Sequence, residues 1–235
     1  NRYVKKNYRK EKISSLVKKI LNNHNYKAKN KIWEQFDHMI TRNVISQMGG
    51  NASVIKTNSG YQAIAATTDC NIFYCDVDPY EGALQAVAES YRNLISVGAR
   101  PLALTNCLNF GNPEKNIIMG QFVNSIKGIN RASKKLKLPI VSGNVSFYNE
   151  TNDNNIPPTP QIGAVGVIED YRKVISYNSF ELSDNIYLIG TPGSHLSCSA
   201  YERCFYDYKD IKRNSIPPKV NLEDEQYNGE FISKL

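Results

Sequence analysis

The stretch Asp78-Pro79-Tyr80-Glu81 constrains this chain most, because three start signals for a helix coincide there. Aspartate suits the N-cap, proline the first helical position, where its missing N–H costs nothing, and glutamate follows three residues after the cap. Ala83, Leu84, Val87, Ala88, Tyr91, Leu94 and Ile95 then recur at helical spacing and Gly98 supplies a stop, which predicts one amphipathic helix. Its small residues, Gly82, Ala83, Ala86 and Ala88, permit close packing on a sheet, so its expected role is structural.

Strand patterns surround that helix. Ser53–Ile55 and Ala63–Thr68, joined across Asn58-Ser59-Gly60, predict a hairpin, and Pro101–Thr105 predicts a buried strand leaving into Asn106–Pro113. Asn112-Pro113 repeats the cap-then-proline device before a helix through Ile118, Phe122, Ile126, Ile129, Ala132 and Leu136. Lys134, Lys135 and Lys137 near its end suit the negative end of the helix dipole. Pro139–Val141 is a short strand opening into a small-residue loop, Asn152–Asn155 a solvated turn, and Ile162–Ile168 an apolar strand whose glycines predict crowding by a helix. Earlier, Trp33, Phe36, Met39 and Ile40 form a helical docking pattern that also carries His38.

The class is α/β of the α+β type, with a mixed sheet and flanking helices. The chain divides into a basic arm (1–30), an αβ domain (31–169) and a segment (170–235) that opens on a polar boundary at Asp170–Asp184. That last part predicts a strand at Ile186–Gly190, a second small-residue loop at Gly193–Ser199 read as a capped helix start or a phosphate site, and a final helix over Leu222–Leu235. Too little lies beyond residue 185 to complete a second αβ domain, so the expectation is a truncated one.

Charge and cysteines exclude several functions. The formal net charge of +7 comes from residues 1–31, which hold eleven Lys/Arg against Glu11 alone, while the remaining body is mildly acidic at −3. Ile13, Leu16, Val17, Ile20 and Leu21 recur at helical spacing in that arm, so a surface helix with solvated lysines is expected rather than a nucleic-acid or acidic-lipid face. No run approaches the roughly 18 apolar residues of a membrane span, the N-terminus is too polar for a secretory signal, and the chain reads as cytoplasmic. Cys70, Cys75, Cys107, Cys198 and Cys204 show no zinc spacing and read as reduced thiols.

Two strand ends carry the chemistry. Ser142-Gly143-Asn144-Val145-Ser146 offers backbone N–H groups, an amide oxygen and two hydroxyls in one place, which suits a phosphate with its magnesium, or else is a plain strand-to-turn exit. Thr67-Thr68-Asp69-Cys70-Asn71 ends a strand in a carboxylate: Asp69 is either a hard oxygen ligand for Mg²⁺ or a turn-former bonding its own backbone.

The segments Ala66–Asn71, Asp78–Gly82, Ala88–Leu94, Leu108–Glu114, Ser142–Glu150 and Pro158–Pro160 occur in one order. Together they resemble the second half of the synthetase subunit of phosphoribosylformylglycinamidine synthase, over about residues 15 to 235. The resemblance implies an aminoimidazole-ribonucleotide-synthetase-like N-terminal domain followed by the start of a C-terminal αβ domain. It also implies an ATP-dependent ligase of purine biosynthesis, in which ATP phosphorylates the formamide oxygen of formylglycinamide ribonucleotide and ammonia displaces the phosphate. The partners it implies are a glutaminase subunit, a small accessory subunit and a first synthetase repeat. By position, the resemblance makes Asn106 and Gly143 ATP contacts, Asn144 a magnesium ligand, Ser146 a substrate contact and Asp69 a further metal candidate.

The chain departs from that family in two places. Asn106 stands where Asp is usual and Asn51 where Asp is common. The family's catalytic histidines belong to the first repeat, so His24, His38 and His195 inherit no such role. A catalytically silent nucleotide-binding or assembly module is the alternative that the missing carboxylate at Asn106 favours.

Overall fold

The computed structural model describes residues 11–35, 43–46, 49–58, 60–175 and 181–235. In chain order the elements are α1 (Ile13–Leu21), α2 (Asn30–Trp33), β1 (Ser53–Lys56), β2 (Ala63–Asp69), α3 (Ile72–Val77), α4 (Pro79–Ser96), β3 (Arg100–Asn109) and α5 (Asn116–Lys135). They continue with β4 (Ile140–Ser146), β5 (Glu150–Thr151), β6 (Asn154–Asn155), β7 (Thr159–Ile168), α6 (Ala200–Phe205), α7 (Tyr208–Asn214) and α8 (Leu222–Ile232).

Helix α4 starts as its sequence demands: the Asp78 carboxylate accepts from the Tyr80 and Glu81 N–H groups, both at 3.1 Å, with Pro79 at the first helical position. Glu81 does not close a reciprocal capping box. Its carboxylate instead accepts from the Val220 N–H at 2.6 Å, because the Asp78 N–H is already bonded to the Tyr74 carbonyl. The helix ends before Gly98, whose φ of +79° lets the chain turn back.

Five strands form one mixed sheet in the order β1-β2-β7-β3-β4. The β1–β2 hairpin is antiparallel as expected, β7 runs antiparallel between β2 and β3, and only β3 and β4 are parallel, connected through α5. Helices α4 and α5 pack against one another and cover one face. Ala63, Ala65, Leu104, Leu108, Ile162 and Ala164 point from that face into Ala83, Leu84, Val87 and Leu94 of α4 and Ile118, Ile129 and Ala132 of α5. Burial of each large apolar side chain in this layer contributes about 1.5–3 kcal/mol. The opposite face stays open among the described residues, leaving Ile55, Ile64 and Val165 exposed.

Several expectations need correction. Strands β3 and β4 each run four or more residues further than the apolar pattern, through Asn109 and Ser146, because parallel pairing from Thr105↔Ser142 to Asn109↔Ser146 satisfies the polar stretches' backbone groups. Thus Ser142–Ser146 is strand, not loop. Helix α5 begins at Asn116 rather than at the Asn112-Pro113 pair: the Asn112 side chain accepts from the Glu114 N–H at 3.0 Å and closes a local turn one turn too early. Gly163 and Gly166 are crowded by the neighbouring strand β3, at Thr105 and the Arg100 carbonyl, not by a helix. Gly82 makes its close approach to the backbone of α3 rather than to the sheet.

Residues 170–235 form no strand among the described residues. Ile186, Tyr187 and Leu188 join no strand and are 99%, 79% and 77% exposed, since a strand without a hydrogen-bonded neighbour does not form. Helix α8 packs on α4, with an Arg92–Glu225 ion pair at 2.6 Å and a Gln85 amide on the Pro218 carbonyl at 2.7 Å. Helix α7 is tied to α3 through the buried Asp76, which accepts from Tyr208 Oη and from Lys212 Nζ. Helix α1 is the expected surface helix, with no buried residue and exposed Ile13, Val17 and Leu21. The pattern at Phe36–Ile40 and His38 lies outside the described residues.

Candidate functional site

The sheet aligns three of the five candidate residues in one transverse row. Asp69 on β2 pairs with Ile162 on β7, Ile162 with Asn106 on β3, and Asn106 with Gly143 on β4. Alternation along a strand then sorts the candidates by face. Asn106 shares the helix-covered side with the buried Leu104 and Leu108, and Gly143 lies opposite it. Asn144 and Ser146, paired with Cys107 and Asn109, belong to the open side.

Gly143 is required by its neighbour. A Cβ at this position would overlap the Asn106 amide oxygen and crowd the Asn106 carbonyl, so any larger residue would displace the Asn106 side chain. The result is a small cradle at the mouth of the β3–β4 pair: a backbone stretch without a side chain, flanked by an amide oxygen. On the open side the Thr105 and Ser142 hydroxyls share a hydrogen bond of 2.8 Å, and Asn144 is exposed. The turn after β4 holds Ser146: the Asn149 amide donates to its hydroxyl and carbonyl, both at 3.1 Å, and to the Phe110 carbonyl at 2.9 Å. Sequence reasoning did not single out Asn149, although its spacing three residues after Ser146 is that of a turn-closing side chain.

Asp69 is held differently. Its carboxylate accepts from Thr67 Oγ1 at 2.9 Å, Ser90 Oγ at 2.8 Å and Asn93 Nδ2 at 2.8 Å, so it bonds side chains of β2 and α4. It lines a cavity of about 320 Å³ with Thr68, Cys70, Asn71, Glu89 and Arg203. Burial raises Glu89 above the usual carboxylate range, and the Asp69 charge raises it further. Glu89 is a further residue that pattern reasoning passed over, since its place on α4 reads as an ordinary polar position.

The donor set suits a hard cation. Asn144 and Asp69 each offer an oxygen, but Asp69 faces α4 while Asn144 lies on the open side with β7 and β3 between their strands, so the structure does not bring them together; no group of three or more His, Cys, Asp or Glu side chains converges among the described residues. Magnesium bound at either would share its coordination with phosphate oxygens and water, and would neutralise charge on the transferred phosphoryl group. A cleft of about 690 Å³ between α4, α8 and residues 189–195 is lined by none of the five candidates. Gly193, Ser194 and His195 border that cleft, and Ser199 occupies the N-cap position of α6 without a side-chain cap hydrogen bond.

Residues 49–168 match the family model for the AIR synthase related protein, N-terminal domain. The chain belongs to this family. The match covers the five-stranded sheet and the helices α3 to α5 that back it. Beyond the family domain, the chain is 43% identical over 231 residues to the phosphoribosylformylglycinamidine synthase subunit PurL of Pelagibacter ubique, which covers 98% of this chain and 31% of that protein. Among solved structures, it is similar to Thermotoga maritima PurL complexed with ATP, at 30% identity and a TM-score of 0.57 over 65% of this chain and 27% of that one. The same protein complexed with FGAR matches at 32% identity and a TM-score of 0.56, over 62% of this chain and 23% of that one. The chain therefore spans about a third of the length of the curated relative, in the family's sheet and in the segment that follows it.

Proposed function

We propose that this chain contributes part of a composite site that converts formylglycinamide ribonucleotide to its amidine, using ATP, magnesium and ammonia released from glutamine. Asn106 and Gly143 contact ATP, Asn144 supplies an oxygen to magnesium with Asp69 as a second candidate, and Ser146 contacts the ribonucleotide. The carrying observation is the close pairing of Asn106 and Gly143, with Asn144 and Ser146 further along the same strand on its open side. It provides the backbone approach, oxygen donors and hydroxyl that a magnesium-bound phosphate and a polar substrate need. The ATP and FGAR complexes of the Thermotoga maritima relative support this choice of ligands.

The reading assigns the general base, the first synthetase repeat, the glutaminase and the small accessory subunit to other polypeptide. An open sheet face with exposed Ile55, Ile64 and Val165 is what such a partner would cover. The test is amidine formation from ATP, Mg²⁺, formylglycinamide ribonucleotide and ammonia. The chain alone should give none, and adding polypeptide that bears the first repeat should restore it. Turnover by the chain alone overturns the division of labour.

A further inference from the structure

Helix α3 and the residue before its N-cap carry two thiols in an arrangement that the proposed ligase chemistry does not use. Asn71 is its N-cap, accepting from the Phe73 N–H at 3.2 Å and the Tyr74 N–H at 3.3 Å, which makes Cys70 the residue before the cap and Cys75 the fourth helical residue. Those two positions face one another at a capped helix start, where a pair of apolar side chains ordinarily staples the entering chain to the first turn. Here both members are cysteines, and the adjoining Cys70 thiol, then burial, push the Cys75 thiol up from its ordinary value. Cys75 is fully buried, and its main chain lies against Gly82 of α4. Cys70 is half-buried and lines the polar cavity beside Asp69, so a small oxidant in that cavity reaches Cys70 and not Cys75.

We propose that Cys70 and Cys75 form an oxidisable pair that peroxide closes into an intrachain disulfide across the first turn of α3. The Cys70 sulfur attacks one oxygen of hydrogen peroxide, the O–O bond breaks, and the products are a Cys70 sulfenic acid and water. The Cys75 sulfur then attacks the Cys70 sulfur, the S–O bond breaks, and hydroxide leaves with the Cys75 proton as a second water. Two thiols and one peroxide give one disulfide and two waters, and a thiol reductant reverses the closure. The bond would fix covalently the turn that carries Asn71, next to Asp69.

The test is peroxide treatment of the reduced full chain, alkylation with iodoacetamide under denaturing conditions, and mass analysis of the tryptic peptide spanning residues 57–92, which contains these two cysteines and no other. The expected result is a peptide two hydrogens lighter than the dithiol, with neither cysteine alkylated, returning to full alkylation after dithiothreitol. In a Cys75→Ala chain, dimedone should trap the Cys70 sulfenic acid that the native chain does not accumulate. Recovery of both cysteines alkylated from peroxide-treated native chain overturns the proposal. So does Cys70 found as sulfinic acid beside an alkylated Cys75; either result leaves the pair as an apolar staple only.

Discussion

Asn106 and Gly143 lie directly opposite one another on parallel strands, and the Asn106 amide oxygen fills the volume that a Cβ on residue 143 would need. The cradle proposed for ATP is thus a property of the pair. Gly143→Ala should destabilise the chain by about 1–3 kcal/mol, as overpacking does in a tightly packed site. Asn106→Ala should relieve part of that cost in the double variant. Urea unfolding of the four chains measures the coupling, and strictly additive losses would mean that the two residues do not compete for space.

Asp78 should hold α4 in solution as it does here. Asp78→Ala removes the acceptor for the Tyr80 and Glu81 N–H groups and should cost about 1 kcal/mol, within the roughly 0.5–2 kcal/mol range of helix caps. Urea or thermal unfolding reads this directly, and a loss near zero would show that water replaces the cap.

Much of the fold was legible because its elements satisfy themselves locally. Asp78 and Pro79 announce α4 without reference to any other segment, and the β1–β2 hairpin is encoded in two strands and the turn between them. The polar halves of β3 and β4 were not legible, since Asn106–Asn109 and Ser142–Ser146 are strand only because each lies beside the other. The same holds for the candidate site. Ser146 and Gly143 stand out as small residues at a strand end, whereas Asn149 earns its place through contacts to Phe110 and Ser146 that no spacing rule ranks. Ile186–Gly190 shows the converse: a clear strand pattern with no neighbour to pair with among the described residues.

Asp69 should matter for folding even without metal. Asp69→Ala leaves Ser90 Oγ, which is buried, and Asn93 Nδ2 without their shared acceptor, and should cost about 1–3 kcal/mol in urea unfolding with EDTA present. A variant that loses stability only when Mg²⁺ is supplied would instead make Asp69 a metal ligand with no structural share.

Glu89 predicts a pH dependence of definite sign. Burial, and then the Asp69 charge, raise it above the ordinary carboxylate range, with Arg92 opposing, so its ionisation disfavours the folded state. Its share of stability is complete below the unfolded carboxylate value and is lost as pH rises through the raised folded value. Glu89→Gln should therefore raise the melting temperature at pH 7 to 8 and leave it little changed near pH 4. A gain at acid pH, or a loss at neutral pH, contradicts this.

The most direct test of the proposed composite site is the rate of amidine formation by this chain assembled with polypeptide carrying the first repeat, comparing the native residue with Asn144→Ala across a magnesium titration. Asn144 is exposed on an edge strand, so the substitution should leave folding intact. The account predicts a loss of about tenfold or more at limiting Mg²⁺, partly recovered at high Mg²⁺, as expected for an oxygen removed from a metal's surroundings. An unchanged rate at every magnesium concentration would contradict it.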